Sequence, residues 1–119
     1  MRKITQLAVE QFFYERTFYF RMGNTIVIKR RGVIGINGME SRMILHGNLI
    51  ASKERNSDSI LIDTCGWFST TTKERLNGLL DTLGLPKIQQ KNFKWYLMGK
   101  EWNGKEARIN IKTHDWEYN

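Results

Sequence analysis

Residues 66–80, Gly66-Trp67-Phe68-Ser69-Thr70-Thr71-Thr72-Lys73-Glu74-Arg75-Leu76-Asn77-Gly78-Leu79-Leu80, constrain the fold more than any other stretch of the chain. Thr71 followed three positions later by Glu74 has the spacing of a capping box. In that arrangement the Glu74 amide donates to the Thr71 hydroxyl and the Thr71 amide donates to the Glu74 carboxylate. Leu76, Leu79, Leu80 and Leu83 then recur at i, i+3, i+4 and i+7, one face of an amphipathic helix. Gly84 stands where a left-handed residue closes a helix, and Pro86 follows two positions on. A helix with one apolar face must lie on something, and the rest of the chain offers strands.

Those strands are marked by β-branched runs between turn signals. Thr25 to Lys29 follows the Gly23-Asn24 turn, and Val33 to Ile36 reads as its return strand across a basic tip. Asn37-Gly38 is a two-residue turn signal. Arg42 to His46 and Leu49 to Lys53 flank Gly47-Asn48, and Ile60 to Thr64 feeds the helix through Cys65-Gly66. Beyond the helix, Lys87 to Lys91 is a short strand, Asn92 a turn, and Trp95 to Met98 pairs back. Ala107 to Lys112 alternates cleanly, as a half-buried edge strand does. Residues 114–119 read as a loose tail. At the other end, Thr5 caps a first helix over roughly residues 6–16, with Ile4 and Val9 as its hydrophobic staple. Tight turns imply antiparallel pairing. The expected class is therefore α+β, a single domain over 1–119. It would hold an antiparallel sheet of about five to seven strands covered by two helices, in the order helix, strands, helix, strands.

Composition supports one folded domain. The 119 residues are 40% hydrophobic and 12% aromatic, enough for a core without disulfides or metals. No stretch approaches the roughly 18 apolar residues of a membrane span. The basic start Met1-Arg2-Lys3 lacks the apolar run of a signal peptide, and Cys65 alone forms no internal disulfide. These features point to a cytosolic protein.

The chain carries Leu45-His46-Gly47-Asn48, Ile50-Ala51, Gly66-Trp67, Thr71-Thr72, Arg75-Leu76-Asn77-Gly78, Gln90-Lys91, Trp95-Tyr96-Leu97, Gly99 and Trp102. With the Arg2-Lys3-Ile4-Thr5 opening, the chain resembles a widespread family of small tailed-bacteriophage proteins over most of residues 1–104. Its distinctive combination is the His-Gly-Asn turn with the Thr-Thr-x-x-Arg-Leu-Asn helix. A longer basic 29–38 region and the extension after Gly104 depart from it. The resemblance implies a phage origin and the cytoplasm of an infected bacterium, and it carries no activity over.

Reaction chemistry finds little support. His46 and His114 lie far apart and Cys65 has no C-x-x-C partner, which leaves no ligand set for zinc. Cys65 with His46 as nucleophile and base competes with the plainer reading of a small buried thiol. Phosphate-cradling glycine motifs are missing. The expectation is a protein that is not an enzyme, with no catalytic residues, no metal and no cofactor.

Binding is better supported. The chain carries 19 Lys and Arg against 12 Asp and Glu, and residues 1–56 hold a net +6 while 57–119 hold +1. Such asymmetry suits an anionic partner, although it also serves solubility. Lys29-Arg30-Arg31-Gly32 is the densest basic run, placed either to meet phosphates or to blunt a sheet edge. Lys73 and Arg75, with Thr70 to Thr72, line a helix start suited to an anion, and Arg75 and Asn77 have the side chains to read base edges. The same helix start would look alike if it merely capped a covering helix. Phe12 to Phe20 holds six aromatics within nine residues, a stacking platform if exposed and core if buried. Trp95, Trp102 and Trp116 interleave with lysines, which suits single-stranded nucleic acid or a protein hot spot equally. Two partners follow: nucleic acid (DNA or RNA) through Lys29, Arg30, Arg31, Lys73, Arg75, Asn77 and Trp102, or a bacterial host or antiviral-defence protein that the chain inhibits by occlusion. A membrane is not among them. Strand content also allows a homodimer through an edge strand.

Overall fold

The computed structural model describes residues 1–16, 18–31 and 38–119. In chain order the elements are α1 (Lys3–Phe13), β1 (Tyr19–Met22), β2 (Thr25–Arg31), β3 (Met39–Leu45), β4 (Asn48–Glu54), β5 (Ser59–Ile62) and α2 (Thr70–Thr82). There follow β6 (Gln89–Lys91), β7 (Lys94–Leu97), β8 (Lys100–Trp102), β9 (Ala107–Asn110) and β10 (Trp116–Tyr118). Seven strands form one antiparallel sheet in the order β1-β2-β3-β4-β5-β9-β10, and β6-β7-β8 form a second. This is the expected α+β class in the expected order of helix, strands, helix, strands. The expected return strand Val33 to Ile36, with Gly32 and Asn37, lies outside the described residues.

Alternation decides which face each side chain takes. Thr25 and Val27 are buried on the inner face of β2, whereas Ile26 and Ile28 are only half-buried on the outer. Along β9, Ala107 and Ile109 point in and Arg108 points out. Both helices and the small sheet lie over the inner face. Leu76, Leu79 and Leu80 of α2 are fully buried with Ala8 and Phe12 of α1, and Trp95, Leu97 and Trp102 close the far side. The helices approach closely at Gly78, where an added Cβ would stand 2.9 Å from both Thr5 Cγ2 and Val9 Cγ2.

The structure differs from the sequence expectation in several places, each with a physical cause. The N-cap of α2 is Ser69, whose hydroxyl accepts from the Thr72 amide at 3.1 Å. Glu74 does not turn back on its own helix. Its Oε1 accepts from Arg2 Nε at 2.7 Å, Thr5 Oγ1 at 2.5 Å and Arg75 Nη1 at 2.8 Å, and two cations outcompete one backbone amide. Thr5 accordingly sits inside α1, which begins at Lys3, rather than capping it. The residues expected as a loose tail form β10 on β9, because Trp116 is buried and its Nε1 donates to Leu97 O at 3.0 Å. Hence β9 is an interior strand and β10 the edge. The aromatic run divides: Phe12 packs edge-on against Phe13 with ring centres 5.0 Å apart, while Tyr14, Phe18 and Tyr19 are exposed around the opposite edge strand, β1.

Candidate functional site

The structure spreads the residues singled out by sequence over several roles. Lys29 points to the inner side, where its Nζ donates to the Gln11 and Phe12 carbonyls at 2.7 Å each. It thereby caps the open end of α1, and burial pushes its ammonium down from 10.5 to about 8. Arg30 is on the outer face and Arg31 is exposed at the end of β2. Lys73 Nζ donates to Gln90 Oε1 at 2.7 Å and lies 5.8 Å from the centre of the Trp95 ring, so it ties α2 to the small sheet.

Arg75, Asn77 and Trp102 are turned inward. The Arg75 side chain is 1% exposed; its Nε donates to Thr25 Oγ1 at 3.1 Å and its Nη1 to Thr5 Oγ1 and Glu74 Oε1. Desolvation of Glu74 would raise its pKa, but hydrogen bonds from Thr5 and Arg2 and the charges of Arg2 and Arg75 outweigh it and hold the carboxyl below its ordinary value. Thr25 Oγ1 in turn donates to Asn24 Oδ1 at 2.9 Å, and Asn24 Nδ2 lies 3.0 Å from His46 Nε2. One polar chain thus runs from Arg2 through the core to the β3–β4 turn. Asn77 Oδ1 accepts from the Ile88 amide at 2.6 Å and fixes the segment after α2. Trp102 is buried with its Nε1 donating to Lys105 O at 2.8 Å.

What the fold brings together on the outside is a different set. Among the described residues no helix or strand packs on the outer face of the seven-stranded sheet at β1–β3. Tyr19 stands opposite Ile28, which stands opposite Arg42; Arg21 stands opposite Ile26, and Arg30 opposite Glu40. Period-two alternation puts all of these on one face. Glu40 Oε1 accepts from Arg42 Nε at 2.5 Å and lies 3.5 Å from Arg30 Nε. A single carboxylate therefore serves two guanidinium groups and holds them in place while the patch stays positive. The Tyr19 ring, 62% exposed, rises beside them from an isoleucine floor. Sequence reasoning named Arg30 and held Tyr19 within the aromatic run, but missed Arg21 and Arg42. The available signal is that residues 16–39 contain Arg16, Arg21, Lys29, Arg30 and Arg31 and no carboxylate.

A second feature is a groove of about 460 Å³ between the β3–β4 turn and the start of α2. Leu45 and Ile50 form its floor, His46 and Asn48 one side, and Thr71, Thr72 and Trp67 the other. Trp67 is 63% exposed. Two separate motifs of the sequence, the His-Gly-Asn turn and the Thr-Thr helix start, face each other here. Nearby, the Cys65 thiol donates to Leu49 O at 3.2 Å. Cys65 is exposed rather than a small buried thiol; partial desolvation still pushes its pKa up, with Asp63 and Glu106 adding to the effect, which disfavours the nucleophilic thiolate. Among the described residues no group of three His, Cys, Asp or Glu side chains comes together as a metal site, and no helix is long and apolar enough to cross a membrane.

Comparison with known proteins gives a family without a chemistry. Neither a curated protein nor a solved structure matches the chain. The family model described as "Kyanoviridae Gp96 protein" matches residues 1–117, and the chain belongs to that family of phage proteins, as its resemblance to small tailed-phage proteins implied.

Proposed function

We propose that this phage protein is a binding protein, not an enzyme, and that it takes single-stranded nucleic acid on the outer face of β1–β3. The observation that carries the reading is the patch, left open by the described residues, in which Tyr19 stands among Arg21, Arg30 and Arg42. Guanidinium groups attract phosphates, and an exposed ring with planar guanidinium faces gives unpaired bases a surface to stack on. Such a protein would act in the cytoplasm of the infected bacterium.

The test is binding to labelled single-stranded DNA, duplex DNA and RNA across about 50 to 300 mM salt, with wild type, Tyr19→Ala, and the triple variant Arg21→Ala/Arg30→Ala/Arg42→Ala. Each phosphate contact on a single strand contributes about 0.7 to the log–log salt slope, so the triple variant should lose about two units. An unchanged slope in the triple variant, or no binding by wild type at about 50 mM salt, refutes the reading. The exposed Trp67 at the apolar-floored groove favours a second reading, inhibition of a host or antiviral-defence protein. Tryptophans beside desolvated pockets dominate protein interfaces. That reading requires a stoichiometric complex from infected-host lysate that Trp67→Ala abolishes.

A further inference from the structure

Three two-residue hairpin turns among the described residues hold both central positions at positive φ. They are His46-Gly47 (51° and 81°), Met98-Gly99 (46° and 79°) and Asn92-Phe93 (52° and 66°). Turns of this shape match the twist of the strands they join and favour glycine, because a Cβ crowds the backbone at positive φ. Two of the three turns have glycine in second place. The third, joining β6 to β7, has phenylalanine, a bulky residue for which that backbone conformation is an outlier.

Nothing among the described residues repays this choice. Phe93 is 98% exposed, so its ring packs on no part of the protein. The rung next to the turn is equally unfavourable, since Lys91 and Lys94 stand directly opposite each other. Like charges so placed repel. Glu101 lies 3.5 Å from Lys94 Nζ and offsets the charge of that lysine alone. Four consecutive residues therefore hold a strained, solvated ring between two opposed cations. The solvated ring and the opposed charges are both relieved by one kind of partner, a flat apolar surface flanked by anions, while the strained backbone holds the ring out to meet it.

We infer that the tip of β6–β7 is a base-stacking wedge, in which Phe93 enters between neighbouring bases while Lys91 and Lys94 sit on the flanking phosphates. Apolar side chains inserted at base steps are an established way of gripping nucleic acid. A protein pocket would take the ring but leave the lysine pair unexplained. A lipid surface is poorly held by one ring and a few charges. The inference rests on the nucleic-acid reading, but uses a surface separate from the β1–β3 patch.

The experiment compares wild type, Phe93→Gly, Phe93→Trp and Lys91→Ala/Lys94→Ala on oligonucleotides carrying 2-aminopurine, with a thermal melt of each protein. Phe93→Gly should fold with a Tm at or above that of wild type, because glycine relieves the turn. It should nevertheless lose affinity about tenfold or more, the measure of one stacked base, and abolish the change in 2-aminopurine fluorescence on binding. Phe93→Trp should keep both. The double lysine variant should lower the salt slope by about 1.4. If wild type binds and Phe93→Gly binds equally well with the same fluorescence change, the wedge is refuted while the nucleic-acid reading stands. If wild type binds no nucleic acid, both fall. Binding of wild type to anionic lipid vesicles that Phe93→Gly alone abolishes, with the 2-aminopurine signal untouched, would overturn the wedge in favour of a membrane contact.

Discussion

Replacing Arg75 with alanine should unsettle the whole fold and do nothing specific to ligand binding. The guanidinium bridges three elements: Thr25 on β2, Thr5 on α1 and its neighbour Glu74 on α2. Thr5 and Thr25 are both fully buried. In the variant each hydroxyl loses the donor it accepts from but keeps the bond it donates, to Glu74 and Asn24 respectively. That costs about 1 kcal/mol apiece, the lower end for an unsatisfied buried group. The Glu74 side chain is 26% exposed and keeps Arg2, so its share is small. The void left by the stem and guanidinium adds about 2 kcal/mol. The expected loss is about 4 kcal/mol, seen as a urea midpoint lowered by roughly 2 M. A cycle with Thr25→Val should give a coupling of about 1 kcal/mol or more, because the two side chains share one bond. A loss below about 1 kcal/mol would refute the assignment. So would a variant of wild-type stability that had lost nucleic-acid affinity, since that would put Arg75 at the interface.

Three further outcomes follow from the same geometry. The Glu74 carboxyl is held below its ordinary value of 4.5, so it contributes stability that is present above that pH and lost as pH falls through the folded value; Glu74→Gln should flatten the acid limb of a stability–pH curve, and an unchanged limb would contradict the network. Gly78→Ala should lower Tm although alanine is the better helix former by about 1 kcal/mol. Its Cβ would meet Thr5 and Val9 at 2.9 Å, and overpacking of that kind costs about 1–3 kcal/mol; a raised Tm would mean that the helices are not pressed together there. Trp116→Ala should cost about 3 kcal/mol and speed amide exchange along β9, where a loose tail would leave both unchanged.

Much of the fold was readable from local pattern. The leucine spacing of α2, the glycine turns and the β-branched runs each act within a few residues, and periodicity alone says which elements they make. The cap of α2 was misread by two residues because Ser69 and Thr71 both have suitable hydroxyls. The choice between them depends on where Glu74 turns, and Glu74 turns to Arg2 and Thr5, some 70 positions earlier in the chain. The strand at 116–118 escaped notice for a similar reason: three residues form no pattern, and Trp116 is held by Leu97 and by pairing with β9. Phe93 was passed over beside the turn residue Asn92. Its meaning depends on exposure and backbone conformation, which composition does not display.

The sequence by itself determined the class of fold, the order of its elements and the excess of positive charge in its first half, because each of these is a sum over residues or a short-range repeat. Which charges face outward was decided only by the tertiary structure. Arg30 and Arg75 are the same side chain, and both stood out as candidate phosphate ligands. Strand alternation turns Arg30 to the outer face beside Arg42, whereas the packing of α2 against α1 and β2 seals Arg75 among two threonines and a glutamate. The difference arises from long-range contact. An arginine is free to meet a ligand where the fold leaves its donors facing water, and is a structural strut where buried acceptors take them first.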